Sequence, residues 1–282
     1  MDAGTYGICD LCHDTIEKDR LIADPLTTLC LDHLSAPEQR ALERDLELAS
    51  AIQRGLLPPA NLRLRDWQIH YRYKPAGMVS GDYCDVISAT SDDAKPIFLL
   101  GDVSGKGVAA ALLMSHLHAM FRSLSAMDLS LDRLIETANR LFCESTLAGQ
   151  YATLICGRVT EAGEIEVASA GHLPALLVTK AEVKQIGATG LPLGMFGKGH
   201  YAIRRVQLEP GDSLLFFTDG ISEASGPSSG EYGIERIALI AEKQRALAPS
   251  AMAAACLEDV ERYTGGSRQT DDQTLMVIQR AR

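Results

Sequence analysis

The stretch from residue 97 to residue 124, IFLLGDVSGKGVAAALLMSHLHAMFRSL, decides how the rest of the chain is read. Residues 97–100 are apolar at every position and end in a glycine, the pattern of a buried strand. Asp102 sits where that strand runs out. Ser104-Gly105-Lys106-Gly107 can then turn tightly, because glycine adopts backbone angles that other residues resist. From Val108 onward Ala, Leu and Met dominate, which predicts a helix packed on most of its circumference. A carboxylate held at a strand end, beside a glycine turn and against a buried helix, suits metal binding better than solvation. The plainer alternative is an aspartate capping the helix.

Two nucleotide-binding readings fail on spacing. A Walker A loop needs four residues between its first glycine and Gly-Lys, and Ser or Thr after it; here three separate Gly101 from Gly105, and Gly107 follows Lys106. A dinucleotide fingerprint needs a third glycine beyond Gly105-x-Gly107, and none is in place.

The chain has 282 residues, enough for one sizeable domain and a small one. Its 46% hydrophobic and 23% charged content describe an ordinary globular protein. A net charge of −10 argues against nucleic acid as a partner. No apolar run is as long as a bilayer span, and no signal-peptide core opens the chain, so no membrane partner is expected. Seven cysteines, an odd number without an export signal, point to a reducing cytoplasm.

Near the N-terminus Cys9 and Cys12 form a C-x2-C pair, and Cys30 and His33 form C-x2-H after a 17-residue gap. Two such chelating pairs match one four-coordinate structural zinc, with His13 a geometrically poorer rival to His33. The segment has too few large apolar residues for a core of its own, so a metal staple explains how it folds. A C-x-x-C redox pair would not need the second C-x2-H.

A helix is expected over residues 35–57, opened by the Ser35…Glu38 capping box and closed by Pro58-Pro59. Leu42, Leu46, Ala49, Ile52 and Leu56 form its apolar stripe. The stripe packs on the following domain or joins two subunits in a short coiled coil. Beyond it the pattern changes to strands over 67–73, 151–159, 164–169, 175–179, 213–217 and 275–279. Further helices are expected over 130–146, 234–247 and 249–264. The strand over 213–217 repeats the opening arrangement, since it runs into Thr218-Asp219-Gly220.

Asp102, Asp219 and Asp271 thus each lie beside a strand end, and Asp82 or Asp85 beside a fourth. Gathered carboxylates repel unless neutralised, and hard divalent cations, magnesium or manganese, neutralise an all-oxygen set. Two ions about 4 Å apart would activate a bridging water for attack on phosphate. Other hydrolytic schemes fare poorly. No Gly-x-Ser-x-Gly elbow is present. Cys256 and Arg262 have C-x5-R spacing, but three carboxylates lie between them where an anion cradle needs backbone N–H groups.

The chain resembles the metal-dependent type 2C serine/threonine protein phosphatases, and within them the bacterial SpoIIE-like branch. The matching stretches run in the family's order over residues 45–280. They are Gly81-Asp82-Tyr83-Cys84-Asp85-Val86, Gly101-Asp102-Val103-Ser104-Gly105-Lys106-Gly107 and Ala170-Gly171-His172-Leu173-Pro174. Pro210-Gly211-Asp212, Thr218-Asp219-Gly220-Ile221-Ser222-Glu223-Ala224 and Asp271-Asp272-Gln273-Thr274 complete the set. The resemblance implies an α+β fold, a four-layer α-β-β-α sandwich of two antiparallel sheets. A small zinc-ribbon-like segment (1–34) and a linker helix (35–60) would precede the phosphatase domain (61–282). It implies two, or with a weak third site three, Mn²⁺ or Mg²⁺ ions bridged by Asp102. The Val103 carbonyl, Asp219 and Asp271 would be further ligands, with Asp82 or Asp85 binding directly or through water. Asp271, the first acid of its motif, fits that ligand role better than Asp272. His172 reads as fixing a turn. Ser80 stands where the family often has glycine.

The function implied is hydrolysis of phosphoserine or phosphothreonine on a small anti-sigma-factor antagonist in bacterial signalling. An upstream regulatory protein and a homodimer through the 35–57 helix are the implied partners. The rival from another class is a catalytically silent interaction module working through the zinc segment and helix. The intact acids argue against it.

Overall fold

The computed structural model of the chain describes residues 6–34, 36–88, 95–160, 163–226 and 230–282. They form two compact units, Met1–Ala51 and Ile52–Arg282. In the first, a bridge between Ile8 and Thr15 precedes helix α1 (Lys18–Ala23), a short 3-10 turn (Leu31–His33) and most of helix α2 (Ala36–Leu56). Its small core comprises Cys9, Ile16 and Cys30, with Leu21 and Leu29 against them. Two of those three are metal-type ligands, as expected of a segment too poor in apolar residues to fold unaided. The capping residue expected at Ser35 lies outside the described residues.

The second unit runs β1 (Asn61–Leu64), β2 (Trp67–Lys74), β3 (Asp82–Ile87), β4 (Ile97–Val103), α3 (Gly107–Ser125), α4 (Leu131–Ser145), β5 (Ala152–Val159) and β6 (Glu164–Ala170). It continues through β7 (Ala175–Val178), β8 (Val183–Ile186), β9 (Arg204–Gln207), β10 (Ser213–Phe217), α5 (Asp219–Ser222), α6 (Ile234–Lys243), α7 (Pro249–Thr264) and β11 (Gln273–Arg280). Two antiparallel sheets result, in the orders β3-β4-β5-β6-β9 and β1-β2-β11-β10-β7-β8. The expected sandwich is therefore the observed fold.

Alternation along the strands assigns the layers. In β4, Phe98 and Leu100 join Ile69, Phe216, Met276 and Ile278 in the core between the sheets. Ile97, Leu99 and Val103 face the other way, onto Leu117, Phe121, Ile135 and Phe142 of α3 and α4. In β10 and β11, Leu215, Phe217, Leu275 and Val277 pack on Ile237, Met252 and Val260 of α6 and α7. Both faces of β3 and β10 are covered, so every residue in them is buried.

The edge strands β1, β8 and β9 were not expected from the pattern. They are four residues each and half-exposed, with polar and charged side chains, the usual composition of a sheet edge. Helix α6 is shorter than the run expected over 234–247. The strands expected over 151–159 and 164–169 pair with each other as the β5–β6 hairpin; Glu161 and Ala162, between them, lie outside the described residues.

Candidate metal centres

Asp102 follows Phe98 and Leu100 at steps of two, so it points to the inter-sheet side at the end of β4. Asp82 pairs directly with it across β3 and β4 and shares that face. Asp219 begins α5 just past the end of β10, and Asp271 lies just before β11, which pairs with β10. The glycine of Thr218-Asp219-Gly220 has a steric reason. A side chain at Gly220 would collide with the Asp272 carbonyl, so glycine lets the two acid-bearing segments approach. Gly81 similarly lies against the Val103 carbonyl and the Asp102 carboxylate.

The carboxylates feel one another. Burial, then repulsion from Asp219, Asp271 and Asp272, pushes Asp102 up to about 7. Burial and Asp271 raise Asp219. Fully buried Asp82 is raised well above the ordinary carboxylate range by burial and by Asp102 and Asp272. Lys106 reaches across from the turn before α3, donating to Asp271 Oδ2 at 2.8 Å and the Thr270 carbonyl at 2.9 Å. One exposed ammonium cannot balance four or five clustered acids. The donor set fits hard divalent cations, with Asp82, Asp102, Asp219, Asp271 and the Val103 carbonyl as the available oxygens.

Asp85, the alternative to Asp82, stands elsewhere. Three residues beyond Asp82 in a strand, it projects from the opposite face, toward α3. Arg122 grips it from α3 through Nε at 2.8 Å and Nη2 at 2.6 Å, and His118 Nε2 lies 3.7 Å away. Both its oxygens are thus engaged, and it stays apart from the cluster.

Asp272 clamps a loop. Its oxygens accept from Ala76 N at 2.7 Å and Gly81 N at 2.9 Å, fixing the segment that enters β3. Several supporting residues were missed by sequence reasoning. Thr218 and Thr274 hydroxyls both donate to Asp82 Oδ2. Gln53, in the last turn of α2, brackets Ser80 by accepting from its N–H at 2.9 Å and donating to its carbonyl at 2.7 Å. The threonines were within reach of alternation, since Thr218 follows Phe216 and Thr274 precedes Met276 by two. Nothing local marks Gln53 or Arg122.

His172 does more than hold a turn. Its Nε2–H donates to the Phe217 carbonyl at 3.1 Å, and the Thr153 hydroxyl donates to Nδ1 at 2.8 Å. Thr153 is the strand partner of Asp102, and Phe217 lies two residues before Asp219. The imidazole therefore ties β5, the neighbour of the strand that carries Asp102, to β10, the strand that runs into Asp219. Burial pushes it down to about 4, so it is neutral.

In the first unit, ligand atoms of Cys9, Cys12, Cys30 and His33 all lie within 4.8 Å of one another. Cys12 and Cys30 sulfurs are 3.7 Å apart, close to the edge of a tetrahedron with zinc–sulfur bonds of about 2.3 Å. His33 Nδ1 lies 3.1 Å from Cys30 Sγ and 3.8 Å from Cys9 Sγ, so it completes the group. Burial opposes ionisation of Cys9, but backbone N–H groups of Cys12, Cys30 and Leu11 outweigh it and bring the thiol down to about 6. His13 is exposed and outside the group.

Residues 92–281 match the family described as Stage II sporulation protein E (SpoIIE). Residues 4–32 match the prokaryotic dksA/traR C4-type zinc finger; His33, the fourth member of the Cys/His group in this chain, lies one residue past that match. Protein IcfG of Synechocystis sp. is 26% identical over 270 residues, which cover 84% of this chain and 41% of IcfG. Phosphoserine phosphatase RsbU of Bacillus subtilis is 27% identical over 188 residues, covering 66% of this chain and 55% of RsbU. The chain thus spans about half the length of these relatives. The SiaA-PP2C domain of Pseudomonas aeruginosa shares the fold, with a TM-score of 0.74 at 22% identity, over 86% of this chain and 98% of that domain.

Proposed function

The chain belongs to the Stage II sporulation protein E (SpoIIE) family, and from that premise we propose that it is a metal-dependent protein serine/threonine phosphatase. The observation that carries the proposal is the convergence of Asp82, Asp102, Asp219 and Asp271 at one mouth between the two sheets, where burial and neighbouring carboxylates raise Asp82, Asp102 and Asp219. Mn²⁺ or Mg²⁺ held there, two ions and a weaker third, would supply an activated water and positive charge for the phosphate oxygens. The residues themselves position. Thr218 and Thr274 orient Asp82, Asp272 fixes the loop before it, and His172 sets the approach of the β5 and β10 ends. The Lys106 ammonium, exposed at the rim, is free to turn from Asp271 to a phosphate oxygen once that carboxylate is neutralised.

The substrate we propose is a phosphorylated protein of the anti-sigma-factor-antagonist type, in a bacterial signalling pathway. RsbU's name, phosphoserine phosphatase, supports the substrate chemistry. One zinc at Cys9, Cys12, Cys30 and His33 would be structural. Leu42, Leu48 and Ile52 are exposed along α2, which supports a homodimer through that helix and a route for an upstream regulator. Among the described residues no helix is long and apolar enough to cross a membrane, and we place the activity in the cytoplasm. A catalytically silent module would not need the whole carboxylate set.

The test is phosphate release from a phosphoserine protein, with and without Mn²⁺, for wild type and Asp102→Ala. Metal-dependent release that the substitution abolishes is expected. Release that is indifferent to both would refute the proposal.

A further inference from the structure

Among the described residues of the second unit, eleven large apolar side chains are exposed, and seven of them lie on three neighbouring segments. Val108 and Leu112 (66% exposed) stand on the first turns of α3. Leu147 and Tyr151 belong to the α4–β5 loop. Leu191, Met195 and Phe196 (59% exposed) belong to the β8–β9 loop. The remaining four, Ile52, Met78, Met127 and Leu239, are on other elements.

Backbone bonds join the three segments into one surface. Ser104 N donates to the Tyr151 carbonyl at 2.9 Å, and Tyr151 N donates to Ser104 Oγ at 3.0 Å. Ala152 and Leu193 exchange N–H···O bonds at 2.9 and 2.8 Å. Asn139 of α4 holds the β8–β9 loop, donating to the Phe196 carbonyl and accepting from Gly194 N. The surface reaches Ser104, two residues past Asp102, so it borders the carboxylate mouth.

Charge sets it apart. Residues 107–121, 145–157 and 185–197 contain no Asp, Glu, Lys or Arg, in a chain that is 23% charged with a net charge of −10. Acids flanking a substrate's phosphate would be repelled by a chain of net charge −10, whereas apolar flanking residues would not. The three uncharged segments carry no such repulsion, and they reward apolar contact. A small phosphomonoester would leave the surface untouched.

We propose that this uncharged shelf, formed by the start of α3, the α4–β5 loop and the β8–β9 loop, docks the protein substrate by apolar residues flanking its phosphoserine. The proposal rests on the phosphatase reading above and narrows its substrate class.

The test uses the full chain with Mn²⁺ and three probes: p-nitrophenyl phosphate and two phosphoserine peptides differing only in flanking leucines or glutamates. The expected kcat/KM favours the leucine peptide about tenfold or more, mostly through KM, the value of burying one or two side chains. In a Leu112→Ser/Phe196→Ser double variant that ratio falls toward one. Equal kcat/KM for the two peptides in the wild type overturns the shelf, while hydrolysis of p-nitrophenyl phosphate keeps the phosphatase reading intact. Wild type inactive on all three probes overturns the phosphatase reading itself. A variant that turns a dimer into a monomer on size exclusion, with the peptide ratio unchanged, makes the shelf a contact between copies and also overturns the proposal.

Discussion

Asp82 and Asp85 are three positions apart on one strand, and their environments are opposite. Asp82 is turned between the sheets toward other carboxylates, while Asp85 is turned outward to a guanidinium. Asp85→Asn is therefore expected to cost stability, about 2 kcal/mol, discounted from a fully buried pair because Arg122 is half-exposed. Urea denaturation measures this. His172 yields a pH prediction. Its pKa falls from 6.5 unfolded to about 4 folded, so the neutral form is favoured by the fold. Stability is complete above pH 6.5 and falls as pH drops through about 4, by up to roughly 3 kcal/mol. His172→Gln should be less stable at neutral pH yet show a shallower fall over that range in urea midpoints. An equal fall in both proteins would place the acid sensitivity elsewhere.

At the scale of elements, the strands were legible because buried apolar runs and glycine punctuation are local signals. The acids at their ends were legible for the same reason. The choice between Asp82 and Asp85 was not, because it depends on which face of β3 meets the other sheet, and alternation alone leaves that sign open until pairing is known. Gln53, Arg122 and the clamping role of Asp272 were hidden for a further reason. Each acts across a long sequence separation on a backbone group or side chain that nothing nearby announces. Gln53 makes a specific element-scale prediction. Gln53→Ala strips both hydrogen bonds from the buried Ser80 backbone and should cost about 2 kcal/mol. Thermal unfolding measures it, and a cost near zero would mean that the loop entering β3 is held by Asp272 alone.

For the whole molecule, two units with different stabilising physics should behave separately. Ile52–Arg282 has three extended apolar clusters, whereas Met1–Ala51 has only a few residues around its sulfur ligands. Chelation of zinc is expected to unfold the first unit and leave the second intact. Calorimetry should show loss of one transition, with a chromogenic indicator reporting one zinc released per chain. Loss of the whole transition would show that the units fold as one.

The central claim is that Asp82, Asp102, Asp219 and Asp271 form a divalent-cation site from which Asp85 is excluded. Isothermal titration of Mn²⁺ into wild type, Asp219→Asn and Asp85→Asn tests it directly. The expected result is tight binding by wild type, retained stoichiometry in folded Asp85→Asn, and loss of at least one tight ion in Asp219→Asn. Undiminished binding in Asp219→Asn, or its loss in a folded Asp85→Asn, would contradict the account.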